Sequence, residues 1–334
     1  MNRTRSKPLR GMLSRQRCSP AQPGHNGPGL KRSSPAREKP SKPEPQPAIV
    51  TARIALADSS NPAAEDLELT LLLEAVFLQA GFDFRNYNRA VLARRVLQCV
   101  RDAGVQAISE LQALVLRDAL ALERLLLALV SRESLPFCDA GFYRAFRRDV
   151  VPWLRTFPYG RLWLMGCAGG AEVYSLAIIL MEEGLQDRCR IYATDVCESA
   201  VHRAQGASWF RESIRRSESA YRKTGGRAVL ADYFIFENGH ARVADVVGKN
   251  ITFAAHNPVT DASFNEFQVI VCREVMGDFD PILQAQVHDL IYESLMPRGL
   301  LVLGRSHSLS ATLHKQNYEP FQLRQGIYQK KRPL

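Results

Sequence analysis

The chain has 334 residues, 46% of them hydrophobic, enough to bury a full core and to form two globular units plus a tail. Its net charge of +10 resembles that of a nucleic-acid binder until the charge is located: residues 1–48 carry eleven Lys or Arg against two Glu, and the remainder is nearly neutral, so nucleic acid is not an expected partner. No apolar run approaches the ~18 residues of a membrane span, and the charged N-terminus has no apolar segment behind it of the kind a secretory signal needs, so the expected location is the cytoplasm.

Residues 1–48 also hold nine of the 18 prolines and no aromatic residue, so they cannot bury enough apolar surface to order themselves and read as a disordered basic tail. The seven cysteines are scattered, with no Cys-x-x-Cys pair, which suggests neither a disulfide framework nor a metal site. From Glu65 to Val130 apolar residues recur at helical spacing in three stripes, the first being Leu67, Leu71, Leu72, Val76 and Phe77, and the last running from Leu111 and Leu114 to Leu129. A bundle of about three helices over 65–130 is expected, with Gly81 and Gly104 as C-caps and Arg89, Arg94, Arg95 and Arg101 forming a basic face for an acidic partner. Residues 131–160 form a linker and a connecting helix from Phe142 to Leu154.

An α/β domain follows over 161–330. Leu162–Met165 is a short apolar strand, a turn holds Gly166, Gly169 and Gly170, and Val173, Leu176, Ala177 and Leu180 then recur at helical spacing. Strand, glycine turn and helix together let a ligand approach the backbone, with the free N–H groups of the helix start beside it. Arg190–Asp195 is a second strand ending on an acid, 29 residues after Gly166, where it can accept the ribose hydroxyls of a nucleoside. The Gly-x-x-Gly-Gly spacing favours S-adenosylmethionine over a dinucleotide. Between 211 and 250 the period changes: Asn238-Gly239 between Tyr233–Phe236 and Ala241–Val246 is a hairpin signal, so a small antiparallel insertion interrupts the alternation. Strands at 251–255, 267–272 and 300–303, a helix over 282–295 and a closing strand from Gly326 complete a Rossmann-like, mostly parallel sheet with its ligand at the strand carboxyl ends.

Five motifs in order carry a resemblance: Gly166-Cys-Ala-Gly-Gly-Ala-Glu-Val-Tyr-Ser-Leu-Ala177, Ile191-Tyr-Ala-Thr-Asp195, His256-Asn257, Cys272-Arg-Glu-Val-Met-Gly-Asp-Phe-Asp280 and Leu295-Met-Pro-Arg-Gly-Leu-Leu-Val-Leu-Gly304. From about Glu65 to Lys330 the chain resembles the CheR family, the chemotaxis-receptor glutamate methyltransferases. The resemblance implies an all-α domain, an S-adenosylmethionine-dependent methyltransferase fold with a β insertion, and methyl transfer to a glutamate of a chemoreceptor-like signalling protein, releasing S-adenosylhomocysteine. The bland expectation for oligomeric state is a monomer.

Carried over residue by residue, Ser134, Gly166, Gly169, Gly170, Ala171, Asp195, Asn257, Pro258, Arg273 and Glu274 become candidate cofactor contacts, and Cys138 and Asp278 occupy the catalytic positions. The family pattern is altered in several places. Cys138 stands where the family has an arginine, Ala171 where it has a carboxylate, Glu274 where it has asparagine, and Asp278 where it has tyrosine. A guanidinium is lost and two carboxylates are gained, so a glutamate acceptor meets like charge, costing about 1 kcal/mol per pair at ~4 Å in water-like surroundings. The expectation is therefore retained nucleoside binding with weak or lost receptor methylation. The alternatives are an active glutamate methyltransferase or methyl transfer to a different substrate.

Overall fold

The structure is a computed structural model describing residues 62–130, 134–273, 275–305 and 307–332; the basic tail and Glu274 lie outside the described residues. Among the described residues four helices, not three, make the bundle: α1 (Pro62–Ala80), α2 (Arg89–Ala103), α3 (Ile108–Val115) and α4 (Ala119–Val130). The first stripe is also rotated from its expected register. Leu69, Leu72, Leu73 and Val76 face the bundle core, an i, i+3, i+4, i+7 set, whereas Leu67 and Leu71 are exposed, as is Leu114 of the last stripe. With leucine at 67, 69, 71, 72 and 73, two faces were nearly equally apolar, and packing against α2 and α3 selected one of them. Asn88 caps α2 by accepting the N–H of Ala90 and Val91, and Gly104 ends it at φ +70°.

The connecting helix consists of α5 (Ala140–Ala145), a π turn (Phe146–Val150) and α6 (Val151–Leu154). The sheet then begins with β1 (Gly160–Met165), α7 (Ala171–Glu182), β2 (Cys189–Asp195) and α8 (Glu198–Gln205). The insertion is larger than a hairpin: β3 (Ser208–Phe210), α9 (Arg211–Lys223), β4 (Phe234–Glu237), β5 (His240–Val243) and α10 (Asp245–Gly248), with strand order β3-β5-β4. The predicted turn is present, with Asn238 and Gly239 both at positive φ.

β6 (Ile251–Ala255), β7 (Phe267–Val271), α11 (Pro281–Ser294), β8 (Leu295–Val302), β9 (Tyr318–Gln322) and β10 (Ile327–Lys330) complete a seven-stranded sheet ordered β6-β2-β1-β7-β8-β10-β9. The five strands from β6 to β8 are parallel, and β10 and β9 add antiparallel. The predicted closing strand β10 is therefore internal, and β9, which the sequence reading missed, is the edge. The strand expected over 300–303 starts earlier, at Leu295, and takes in Pro297-Arg298-Gly299 as an irregularity with Arg298 at φ +68°. Strand order reverses between β1 and β7. Their carboxyl ends splay around a crevice there, the usual ligand position in such a sheet.

The helical bundle and the sheet share a seam. Val196 and Cys197 between β2 and α8, with Ala200 of α8, join the bundle's apolar core, and Tyr87 packs edge-on against Phe279 with ring centres 5.0 Å apart. Asn88 N–H donates to the Asp278 carbonyl at 2.7 Å, and Asp280 N–H to the Asn86 carbonyl at 3.0 Å.

Candidate functional site

A cavity of about 430 Å³ opens at the switch point, and a smaller one of about 40 Å³ adjoins it along Met165, Gly166, Val275 and Asp278. The larger volume falls within the usual range for small-ligand sites. Its walls come from the stretch leading into α5, the turn after β1 with the start of α7, and the residues after β7, with Val130 from the end of α4 and Arg305 from beyond β8.

The turn after β1 is fixed by sterics. Gly166 sits at φ +76°, and a Cβ there would lie 2.3 Å from Val275 Cγ2; Gly170, at φ +84°, meets Ala204 O and Ala207 Cβ at 3.0 Å in the same way. Gly169 faces another space, a cavity of about 540 Å³ between the insertion and residues 134–135. Ala171, the first residue of α7, is buried and puts a methyl group on the wall where a carboxylate was expected.

Asp195 ends β2 beneath this turn. Its carboxylate accepts the N–H of Ala168 at 3.0 Å and that of Cys197 at 3.4 Å, and it lines the smaller cavity. Burial raises its pKa to about 6, against those backbone donors, which hold it down. A carboxylate has about four acceptor sites, so capacity remains for hydroxyl donors. His256 and Pro258 line the same small cavity; Asn257, a predicted cofactor contact, instead spends its side-chain oxygen on the N–H of Val259 at 3.0 Å.

Before α5, Phe137 is fully buried at φ +60°, packed edge-on against Tyr143 and Tyr221, and this left-handed turn sends Cys138 into the large cavity. Cys138 keeps solvent contact, yet packing around its sulfur raises the thiol's pKa, with the Arg273 charge opposing. A thiol held protonated is a poor nucleophile. Ser134 borders both the large cavity and the one beneath the insertion, and its carbonyl accepts the Trp209 indole N–H at 3.2 Å.

Arg273 is 8% exposed and lies at the centre of the charges. It donates to Glu172 at 2.7 Å and to Asp139 at 2.5 Å, and its guanidinium stacks 3.9 Å from the Phe142 ring centre. Burial lowers its pKa, but the charges of Glu172 and Asp139 and the hydrogen bond to Glu172 more than compensate and keep it a cation.

Asp278 was expected to face the acceptor with a bare negative charge. Instead it is paired: Arg95 Nη2 donates to both of its oxygens at 3.1 Å, and both side chains are about nine-tenths buried. Arg95 therefore leaves the predicted basic face of α2 and points into the seam, where it also reaches the Leu129 carbonyl. Arg89 is turned away as well, bonding Asp66 and Thr70, while Arg94 and Arg101 remain exposed.

The sequence reading did not single out Tyr87, Val130, Tyr143 or Arg305 as site residues, and it gave Arg95 a different role. Burial raises the pKa of both Tyr87 and Tyr143, so both stay neutral phenols. None of the five falls in a glycine- or acid-bearing motif. Only the fold brings residues this far apart in sequence to one cavity.

Comparison with known proteins agrees with this arrangement. Residues 139–326 match the profile of the CheR methyltransferase SAM-binding domain, and residues 67–130 match the CheR methyltransferase all-alpha domain. The Cher3 protein of Pseudomonas putida is 40% identical over 265 residues, covering 79% of this chain and 97% of that one. A chemotaxis protein methyltransferase of Listeria monocytogenes is 25% identical over 232 residues, covering 69% and 85%. Among solved structures, the N-methyltransferase NodS of Bradyrhizobium japonicum, bound to S-adenosylhomocysteine, superposes with a TM-score of 0.31 at 19% identity, over 54% of this chain and 67% of that one. With an all-α unit, a SAM-binding α/β unit and a buried acid beneath a glycine turn, the chain belongs to the CheR family of S-adenosylmethionine-dependent methyltransferases.

Proposed function

We propose that this chain is an active methyltransferase whose acceptor is a side-chain carboxylate of a chemoreceptor-like signalling protein. One observation carries the reading: of the two carboxylates expected to repel such an acceptor, Asp278 is bonded through both oxygens to Arg95, and Asp139 and Glu172 beside the cavity are bonded to Arg273. A like-charge contact at ~4 Å costs about 4 kcal/mol near a protein surface, enough to suppress binding more than a hundredfold, and the Arg95 charge on Asp278 with the Arg273 charge shared by Asp139 and Glu172 offsets much of that term. The expectation of weak or lost activity rested on that repulsion, on the guanidinium lost at Cys138 and on Glu274, which lies outside the described residues; the family match lends it no support.

The residues of the two adjoining cavities fit the cofactor. Asp195 offers a charge-assisted acceptor for ribose hydroxyls, the turn at Gly166 brings backbone close to the ligand, and Ala171 leaves an apolar wall. When bound, S-adenosylmethionine supplies an electrophilic methyl group on a sulfonium. The chain then has little acid–base work to do, because a glutamate is already ionised near neutral pH. Its residues orient the acceptor and exclude water; the neutral phenols of Tyr87 and Tyr143 and the methyl of Ala171 make part of the wall without adding charge.

Titrating the full chain with S-adenosylhomocysteine by calorimetry, then measuring transfer of a tritiated methyl group to a chemoreceptor cytoplasmic fragment, tests the proposal. Saturable binding with base-labile label on the fragment is expected. Binding without label would remove carboxylate methylation, and no binding at millimolar ligand would remove methyl transfer of any kind.

A further inference from the structure

The charged side chains of the large cavity differ in how much of their bonding capacity is already used. Arg273 is buried against two carboxylates and a phenyl ring. Arg305 lines the same cavity with its side chain 61% exposed, and its contact among the described residues is a long one, 3.4 Å from Asp139 Oδ1. That oxygen already accepts the Phe142 N–H, and the other oxygen of Asp139 is held by Arg273. Arg305 can therefore leave Asp139 without stranding it, and most of its five donors remain available.

The backbone beneath Arg305 is firm. Leu303 N–H donates to the Gly326 carbonyl at 2.9 Å, Gly304 sits at φ +77°, and a Cβ on Gly326 would lie 2.1 Å from Gly304 O. Two chain segments thus touch backbone to backbone directly under the residue, giving a fixed stem and a solvent-reaching head. The stem stands past the carboxyl end of β8, the strand beside β7, on the ligand side of the sheet. Across the cavity, Cys138 offers only a thiol, a weak donor that cannot bind a carboxylate.

We infer that Arg305 binds the acceptor's carboxylate, exchanging its long contact with Asp139 for a bidentate one with the incoming side chain. The inference rests on the proposed methyl transfer to a carboxylate and names the group that selects it. A guanidinium fork matches the two oxygens of a carboxylate and fixes their plane, which an ammonium does not. Glutamate is thereby favoured over glutamine, which lacks the charge, and over lysine, which is repelled.

The test reads binding and turnover separately. In the presence of saturating S-adenosylhomocysteine, the affinity for a chemoreceptor cytoplasmic fragment is measured by thermophoresis for the natural protein and for Arg305→Ala, Arg305→Lys and Arg305→Glu. The fragment is used both with glutamates at its methyl-accepting positions and with glutamines there. The natural protein is expected to bind the glutamate form at least tenfold more tightly than the glutamine form. Arg305→Ala should erase that preference, Arg305→Glu invert it and Arg305→Lys restore part of it, with the dissociation constant for S-adenosylhomocysteine changing less than twofold throughout. In turnover, Arg305→Ala should raise the KM for the fragment at least tenfold while changing kcat much less. A natural protein without glutamate preference, an Arg305→Ala protein that keeps the preference, an unchanged KM, or loss of S-adenosylhomocysteine binding in Arg305→Ala each overturns the inference. A protein that prefers glutamate through Arg305 but transfers no methyl group would leave the inference standing and remove the proposed function.

Discussion

Asp195 and Asp278 are both buried carboxylates at one crevice, and their environments give them opposite tasks. Asp195 is opposed by burial and supported by backbone N–H groups and, to a smaller extent, by the Arg203 charge, which leaves its pKa at about 6. The folded state therefore binds this proton more tightly than the unfolded chain, and the group's contribution to stability falls as pH rises from about 4 to about 6. Cofactor binding should run the other way, because ribose hydroxyls favour the charged acceptor. The affinity for S-adenosylhomocysteine is expected to drop about tenfold between pH 7 and pH 5, and Asp195→Asn should flatten that profile at a weaker level, as read by calorimetry across pH. Asp278 has a partner, and removing that partner is costly. Arg95→Ala leaves a buried acid alone and should destabilise the protein by about 3–5 kcal/mol in urea titrations, whereas Arg95→Met combined with Asp278→Leu should recover most of the loss. Equal losses in the single and double variants would mean that the pair contributes packing rather than charge balance.

At the scale of elements, the turn between β1 and α7 separates glycines that must be glycine from one that need not be. Gly166→Ala combines a left-handed backbone with an overlap on Val275 and should cost at least about 2 kcal/mol and weaken cofactor binding. Gly169→Ala meets nothing within 4 Å and has no positive φ, so its stability should stay within about 1 kcal/mol of the natural protein. Denaturation midpoints of the two variants check the contrast. The sequence made the β1–turn–α7 unit, the acid ending β2 and the Asn238-Gly239 hairpin legible, because each is a local pattern that burial reinforces. The register of α1 was illegible because five leucines in seven residues leave two apolar faces. The short, half-exposed β9 gave too weak a periodic signal, and the buried face of α9 was hidden because Ser213 and Ser217 share it with Ile214 and Tyr221. The role of Arg95 was hidden for another reason: an arginine on a helix looks solvated until its partner, 183 residues away, is brought to it.

At the scale of the whole molecule, the all-α unit serves as one wall of the site as well as a separate bundle. Its core takes in Cys197 and Ala200, its α2 neutralises Asp278, and its Tyr87 and Val130 reach the cavities. A chain beginning at residue 134 should therefore lose cooperative unfolding and scatter light at micromolar concentration, and it should not bind S-adenosylhomocysteine. A soluble fragment with unchanged affinity would show that the bundle is dispensable to the cofactor site.

The seam between residues 86–95 and 278–280 also sets an order of events. A ribosome delivers the glycine turn and Asp195 long before Asp278 and Arg305, so Arg95 waits through most of synthesis without its counter-charge. The crevice cannot close around a nucleoside until the last third of the chain has emerged and this distant loop has formed, at a cost in chain entropy that grows slowly with its length. Competence to bind therefore arrives late in folding, and the ligand can reward the finished fold but cannot template its beginning.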